Sequence, residues 1–124
     1  MRRTNQKEAV YNAIINSCDH PDVETIYFRS KKLLPSISLA TVYRAVSILS
    51  SEGKVLRIPL NSGDRYDKTL NAHAHFHCQK CNSVTDVFSL DLSTAISNAE
   101  KERAVKVQSV NAVFSGICEN CKNF

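Results

Sequence analysis

Apolar residues recur at helical spacing through the first fifty positions of the chain and at a spacing of two soon afterwards, which predicts helices followed by a short hairpin. Val10, Ile14 and Cys18 mark the first helix, opened by a capping box of Asn5 and Glu8 and ended near His20-Pro21. A second helix starts from Asp22 as N-cap and carries Val23, Ile26, Tyr27 and Leu33 or Leu34 on one face. It stops at Leu34-Pro35, because the residue before a proline avoids the helical region. Ser38 caps a third helix whose apolar set Leu39, Val42, Val46 and Leu49 leaves Thr41, Arg44, Ser47 and Ser51 facing outward. Gly53 supplies its C-terminal stop.

Beyond Gly53 the period changes. Leu56, Ile58 and Leu60 alternate with Arg57 and Pro59, Asn61-Ser62-Gly63-Asp64 makes a turn, and Arg65-Tyr66-Asp67 returns as the partner strand, with Pro59 confining the hairpin to an edge. Three helices and a small hairpin are the element order of a winged helix-turn-helix, with residues 38–52 as recognition helix and residues 55–67 as wing. That order places DNA contacts on Thr41, Tyr43 and Arg44 of the helix and on Arg57 of the wing. Residues 68–72 are polar and aperiodic and are expected to be a linker between a domain at 1–67 and another at 73–124. The second domain shows strand patterns around residues 75–78 and 84–88, a helix with Leu92, Ile96 and Ala99 on one face, and a β-rich run from Val105 to Ile117. The fold class is α+β, a winged helix followed by a small α/β domain.

Composition sharpens this picture. With 43% apolar and 23% charged residues among 124, the chain is a folded protein, but a second half of this size is marginal without a metal, disulfides or a partner subunit. The net charge of +4 is uneven: residues 1–67 hold ten basic and seven acidic side chains, residues 68–124 six and five. That excess admits nucleic acid as a partner. No apolar run reaches the length of a membrane span and the start carries no signal-peptide core, so a cytoplasmic protein without a membrane partner is expected.

Four of the five cysteines form two C-x-x-C pairs, Cys78/Cys81 and Cys118/Cys121. The spacing suits tetrahedral Zn²⁺, each pair gripping the metal through one tight turn; disulfides and a redox C-x-x-C are the rival readings. Cys18 is left as packing at a helix end. Three of the four histidines fall in His73-Ala74-His75-Phe76-His77, where an extended backbone turns all three to one face and Cys78 to the other. Asp67 precedes this cluster and Asp86 follows it, and together they offer a mixed nitrogen and oxygen site for Fe²⁺, Mn²⁺ or Zn²⁺.

These stretches resemble the ferric uptake regulator (Fur) family of metal-dependent bacterial repressors, most closely its peroxide-responsive branch, PerR. The matching residues are Arg3-Thr4-x-Gln6, His20-Pro21 with Ile26-Tyr27, Ser38-x-Ala40-Thr41-Val42-Tyr43-Arg44, Gly53-x-Val55, Arg65-Tyr66-Asp67, His73-x-His75-x-x-Cys78-x-x-Cys81 and Gly116-Ile117-Cys118-x-x-Cys121. The resemblance implies a winged-helix DNA-binding domain, a zinc-stabilised dimerisation domain, a homodimer on operator DNA, structural zinc on the four cysteines, and a regulatory Fe²⁺ or Mn²⁺ on His20, Asp67, His73, His75 and Asp86. Aspartates at 67 and 86, where the iron-uptake branch usually has glutamates, resemble the peroxide-sensing branch. There Fe²⁺ reacts with peroxide and oxidises a ligand histidine, by position His20 or His73.

Three departures from the family pattern stand out. The leading helix that many relatives use for extra DNA contacts has no counterpart before Arg3, which implies weaker DNA affinity. Asn82 stands where glycine usually follows the first cysteine pair, and asparagine tolerates the left-handed backbone such a knuckle needs. His77 takes a position that is usually apolar, as a strand residue beside the pocket or an additional ligand. A zinc hydrolase built on the His-x-His-x-His run lacks a nucleophile motif and leaves the third helix without a role. An adaptor module explains the cysteines but not the histidines. A repressor that binds DNA when metal-loaded, and is not an enzyme, accounts for both.

Overall fold

The computed structural model describes residues 3–71 and 73–122, with Arg3 and Thr4 described by backbone alone. The chain divides into two compact units, one reaching to Leu70 and the other beginning at Asn71. The end of the expected linker, Ala72, and the chain ends at 1–2 and 123–124 lie outside the described residues. No helix among the described residues is long and apolar enough to cross a membrane.

The first unit runs α1 (Arg3–Ile15), α2 (Val23–Leu33), α3 (Leu39–Ser51), β1 (Leu56–Ile58) and β2 (Arg65–Asp67). Helix α1 begins two residues before Asn5, so that side chain lies inside the first turn instead of capping it. The helix also stops earlier than its apolar pattern suggests. The Ser17 hydroxyl donates to the Ala13 carbonyl at 2.6 Å and its N–H to Ile14 at 3.0 Å, a local alternative to further helical turns. Cys18 therefore falls beyond the helix and is exposed, not packed.

Helices α2 and α3 start where their caps put them: the Asp22 carboxylate accepts the Thr25 N–H at 2.9 Å and the Ser38 hydroxyl the Thr41 N–H at 3.2 Å. Gly53, at φ 73°, ends α3 in a Schellman motif, with Lys54 N–H bonded to the Leu49 carbonyl at 2.9 Å and Gly53 N–H to Ser50 at 3.1 Å. The core gathers Val10 and Ile14 of α1, Val23 and Ile26 of α2, and Val42, Ala45, Val46 and Leu49 of α3. Leu39, in the first turn of α3, is exposed, and Ala45 takes the inward position instead. Strands β1 and β2 pair antiparallel with Arg57 opposite Tyr66, and Gly63 at φ 117° turns the hairpin between them.

The second unit runs β3 (Ala74–Cys78), β4 (Val84–Val87), α4 (Leu92–Arg103) and β5 (Val113–Gly116), with the sheet ordered β4-β3-β5. β4 is antiparallel to β3, and β5 returns after α4 to lie parallel on the other edge of β3. Asp91 caps α4, its carboxyl held down to about 2 by the hydroxyls of Thr94 and Ser93 and the Thr94 N–H. Leu92 is buried, whereas Ala99 on the expected apolar face is exposed. Of the run from Val105 to Ile117 only Val113–Gly116 forms a strand, because only that stretch lies in register with β3. Residues 105–112, interrupted by Lys106, Gln108, Ser109 and Asn111, are irregular.

Candidate metal centre

Strand β3 delivers Cys78 into a tight turn, and β5, whose Gly116 lies opposite Cys78, delivers Cys118 beside it. Glycine suits that approach, since a β-carbon on Gly116 would stand a tight 3.3 Å from the Phe76 ring. The Gln79 N–H bonds the Gly116 carbonyl at 2.7 Å and joins the two knuckles at their base. Asn82 closes the first knuckle at φ 65°, the left-handed conformation expected of it, with its N–H on the Cys78 carbonyl at 2.9 Å. In the second knuckle the N–H groups of Cys121 and Lys122 bond the Cys118 carbonyl at 3.0 and 2.9 Å.

The four cysteine sulfurs of this unit lie within 4.8 Å of one another. Cys81 Sγ and Cys118 Sγ are 3.7 Å apart, far from a disulfide bond and close to the ~3.8 Å between two thiolates that each sit ~2.3 Å from a tetrahedral Zn²⁺. Backbone N–H groups of Cys81 and Cys118 both point at Cys78 Sγ, each at 3.4 Å. They bring the Cys78 thiol down to about 6, so it is a thiolate at neutral pH. The Ser83 hydroxyl lowers Cys81 as well, while the neighbouring Cys118 pushes Cys121 up to about 12. Opposed shifts within one cluster are the mark of like charges that cannot all form unless a cation joins them, so the donors fit a zinc site of four cysteines.

Each unit brings imidazoles and carboxylates together. In the first, His20 Nε2 is 3.3 Å from Asp67 Oδ2, both side chains more than 90% buried. The second carboxylate oxygen of Asp67 accepts the Thr69 N–H at 2.9 Å, which fixes the rotation of the group. In the second unit the register of β3 and β4 sets His75 opposite Asp86, and Asp86 Oδ1 stands 3.4 Å from His75 Nε2 and 2.7 Å from His73 Nε2. His73 Nδ1 donates to the Asn71 carbonyl, at 2.6 Å, which turns Nε2 toward Asp86. An imidazole nitrogen and a carboxylate oxygen this close share a proton or a cation between them, and with His75 they make a donor set that suits a divalent cation. The Phe88 ring stacks on His73 at 4.7 Å between centroids. His77 does not join this group: its Nε2 bonds the Oδ1 of Asn82, so two departures from the family pattern pair with each other.

In the first unit, Thr41 Oγ1 accepts from Ser38 Oγ at 2.9 Å and from Arg44 Nη2 at 3.1 Å, a chain that orients Arg44 at the start of α3. Tyr43 is half exposed. Arg57 leans on Asp64 at 3.4 Å across the hairpin turn. Tyr43, Ser47 and Ser50 of α3 face Arg57, Asp64 and Tyr66 of the hairpin across an open groove of about 570 Å³. Arg65, part of the Arg65-Tyr66-Asp67 motif, holds the backbone of His20 with its guanidinium, a contact whose 45-residue separation leaves no local signal in the sequence.

A sequence model of the Ferric uptake regulator family matches residues 1–115. The Ferric uptake regulation protein of Bacillus subtilis is 32% identical over 124 residues, covering 95% of this chain and 83% of that protein. The Peroxide-responsive repressor PerR of Staphylococcus epidermidis is 28% identical over 123 residues, covering 98% and 82%. Among solved structures, that of the Campylobacter jejuni peroxide stress regulator superposes with a TM-score of 0.81 at 29% identity, over 96% of this chain and 90% of that one.

Proposed function

Because the chain belongs to the ferric uptake regulator family, we propose that it is a cytoplasmic transcriptional repressor which binds operator DNA as a homodimer when a divalent metal is bound to ligands from both of its units. One observation carries this reading. Each unit holds an incomplete metal site, His20 with Asp67 in the first and His73, His75 and Asp86 in the second. The first half offers two donors and the second three, and the joined set of five nitrogen and oxygen donors suits Fe²⁺ or Mn²⁺. Joining the halves restrains the first unit relative to the second, and with it the spacing of the two recognition helices in a dimer. Metal and DNA then favour the same arrangement and each tightens the other. Thr41, Tyr43, Arg44 and Arg57 make the DNA contacts, the arginines to phosphates or guanine edges. Val105, Phe114 and Ile117, all about half exposed, supply apolar surface for the partner subunit.

The site works as a peroxide sensor. Fe²⁺ held by His20, Asp67, His73, His75 and Asp86 would supply the redox chemistry by which peroxide oxidises a ligand imidazole, one peroxide oxygen entering a ring carbon–hydrogen bond and the other leaving as water. His20 and His73 are the histidines exposed to that damage. A histidine so altered loses its lone pair for coordination, the two halves part, and the protein leaves DNA. The aspartates at 67 and 86 and the similarity to peroxide-responsive repressors support this reading. The 32% identity to a ferric uptake regulation protein favours the alternative, an iron- or manganese-responsive repressor without peroxide sensing.

Gel shifts with operator fragments in Mn²⁺, in Fe²⁺, and in Fe²⁺ followed by peroxide separate the two. Binding in both metals, lost only in Fe²⁺ plus peroxide together with one added oxygen on the His20 or His73 peptide, supports the sensor. Oxidation confined to cysteines, or none, with metal-dependent binding intact, supports the alternative; binding indifferent to metal refutes both.

A further inference from the structure

His20 stands at φ 53°, in the left-handed region that a side chain with a β-carbon adopts only when its surroundings hold it there. The segment that carries it is gripped from two sides. Upstream, Arg29 donates to Asp19 through two N–H groups at 2.9 and 2.8 Å and to the Ser17 hydroxyl at 2.7 Å. Downstream, Arg65 reaches back from β2 and its Nη1 donates to the carbonyl of His20 itself at 3.1 Å. The next residue of β2 adds a backbone bond, Tyr66 N–H to the Pro21 carbonyl at 3.0 Å, and Asp22 bridges Arg65. Arg65 and Asp67 are two apart on one strand and so share a face. A single three-residue strand thus presents the carboxylate of the first half-site and the clamp on its imidazole.

We propose that Arg65 is the positioning residue of this half-site: its guanidinium holds the His20 backbone in the left-handed conformation that turns the imidazole toward Asp67 before any metal is bound. The inference rests on the reading of His20 and Asp67 as ligands given above. Because β2 is also a strand of the wing, paired residue for residue with β1, a shift of the hairpin is transmitted through Arg65 to the ligand histidine.

Two measurements on the full-length, zinc-loaded chain test this. Without added metal, the ¹³Cα and ¹³Cβ shifts of His20, in histidine-labelled protein assigned through a His20→Gln variant, report its backbone conformation directly. Arg65→Ala is expected to move them to ordinary extended or helical values, and Arg65→Lys, which keeps a cationic donor, to return them most of the way. With Mn²⁺, followed by the electron paramagnetic resonance signal of the free ion, Arg65→Ala is expected to weaken binding about tenfold, as loss of a ligand's supporting hydrogen bond does, with Arg65→Lys recovering most of that loss. Unchanged His20 shifts in Arg65→Ala, or Mn²⁺ affinity within about twofold of the unaltered chain, overturns the proposal. If the unaltered chain takes up no Mn²⁺, the metal-gated reading fails, while the carbon shifts still decide the role of Arg65. Should Arg65→Ala fail to fold, Arg65→Met, which keeps the length and has no N–H donor, carries both readings, with the same results expected and the same results overturning the proposal.

Discussion

The two units are built on different principles. In the first, three helices close over a continuous apolar cluster running from Val10 through Leu49 to Val55 and Tyr66. In the second, the buried apolar residues among those described are Ala74, Cys78, Val84 and Leu92, and the other buried side chains are His73, His75 and His77. A unit that buries imidazoles and a thiol in place of leucines has little hydrophobic stabilisation to set against its conformational entropy. Metal ligation takes that place. The contrast teaches that the two units draw on different sources of stability. The helical unit can keep its shape while the sheet unit answers to its ligands.

Removing zinc should break this comparison most sharply. A structural zinc held by four cysteines is worth on the order of 10 kcal/mol to a small domain, so chelation or Cys78→Ser should unfold the second unit. Hydrogen exchange followed by mass spectrometry is expected to show β3, β4 and β5 losing protection while α1, α2 and α3 keep theirs. Equal loss in both units, or none in either, would contradict the division. Acid should act in the same direction as chelation, since protons compete with the metal for the thiolates.

A pair of truncations comes next in size. Leu49 is 1% exposed at the centre of the first cluster, and Leu49→Ala should cost about 2–5 kcal/mol in urea unfolding followed by helical signal. Phe114 is half exposed, and Phe114→Ala should cost each chain under about 0.5 kcal/mol while weakening the proposed homodimer, as sedimentation would show. A Phe114→Ala protein as destabilised as Leu49→Ala would mean that the second unit has a core of its own.

What the amino-acid pattern disclosed follows the same division. Asp22, Ser38 and Gly53 announce helix ends by local chemistry, and α2 and α3 stand within a residue of where those signals put them. Asn82 disclosed its left-handed turn for the same reason. Side-chain hydrogen bonding and tertiary packing decided the rest. Helix α1 ends on a Ser17 hydroxyl bond that its apolar spacing does not encode, and the β-branched run after Val105 forms a strand only where β3 is there to receive it. The two cysteine pairs were readable because each is a local motif. The Arg65 contact with His20 and the pairing of His77 with Asn82 were not, since each depends on where strands and turns bring distant positions.

The smallest effect belongs to the surface of the first unit. Arg29 holds the Asp19 carboxyl below its ordinary value of 3.8. A lowered carboxyl contributes stability that is complete above its unfolded pKa and is lost as pH falls through the folded one. Arg29→Ala should therefore lower stability by under about 1 kcal/mol near pH 7, this being a solvent-exposed pair, and by less as the pH approaches 3 and below. Thermal melts at both pH values check this; a penalty that grows in acid would contradict it.

The reciprocal coupling of metal and DNA is the most direct test of how the two units work together. Mn²⁺ is titrated into the zinc-loaded protein with and without operator DNA, and DNA into the protein with and without Mn²⁺. DNA is expected to tighten Mn²⁺ binding on the order of tenfold, and Mn²⁺ to tighten DNA binding by the same factor, with both effects lost in His20→Ala and in His75→Ala. Equal Mn²⁺ affinity in the presence and absence of DNA would contradict a metal that joins the two units.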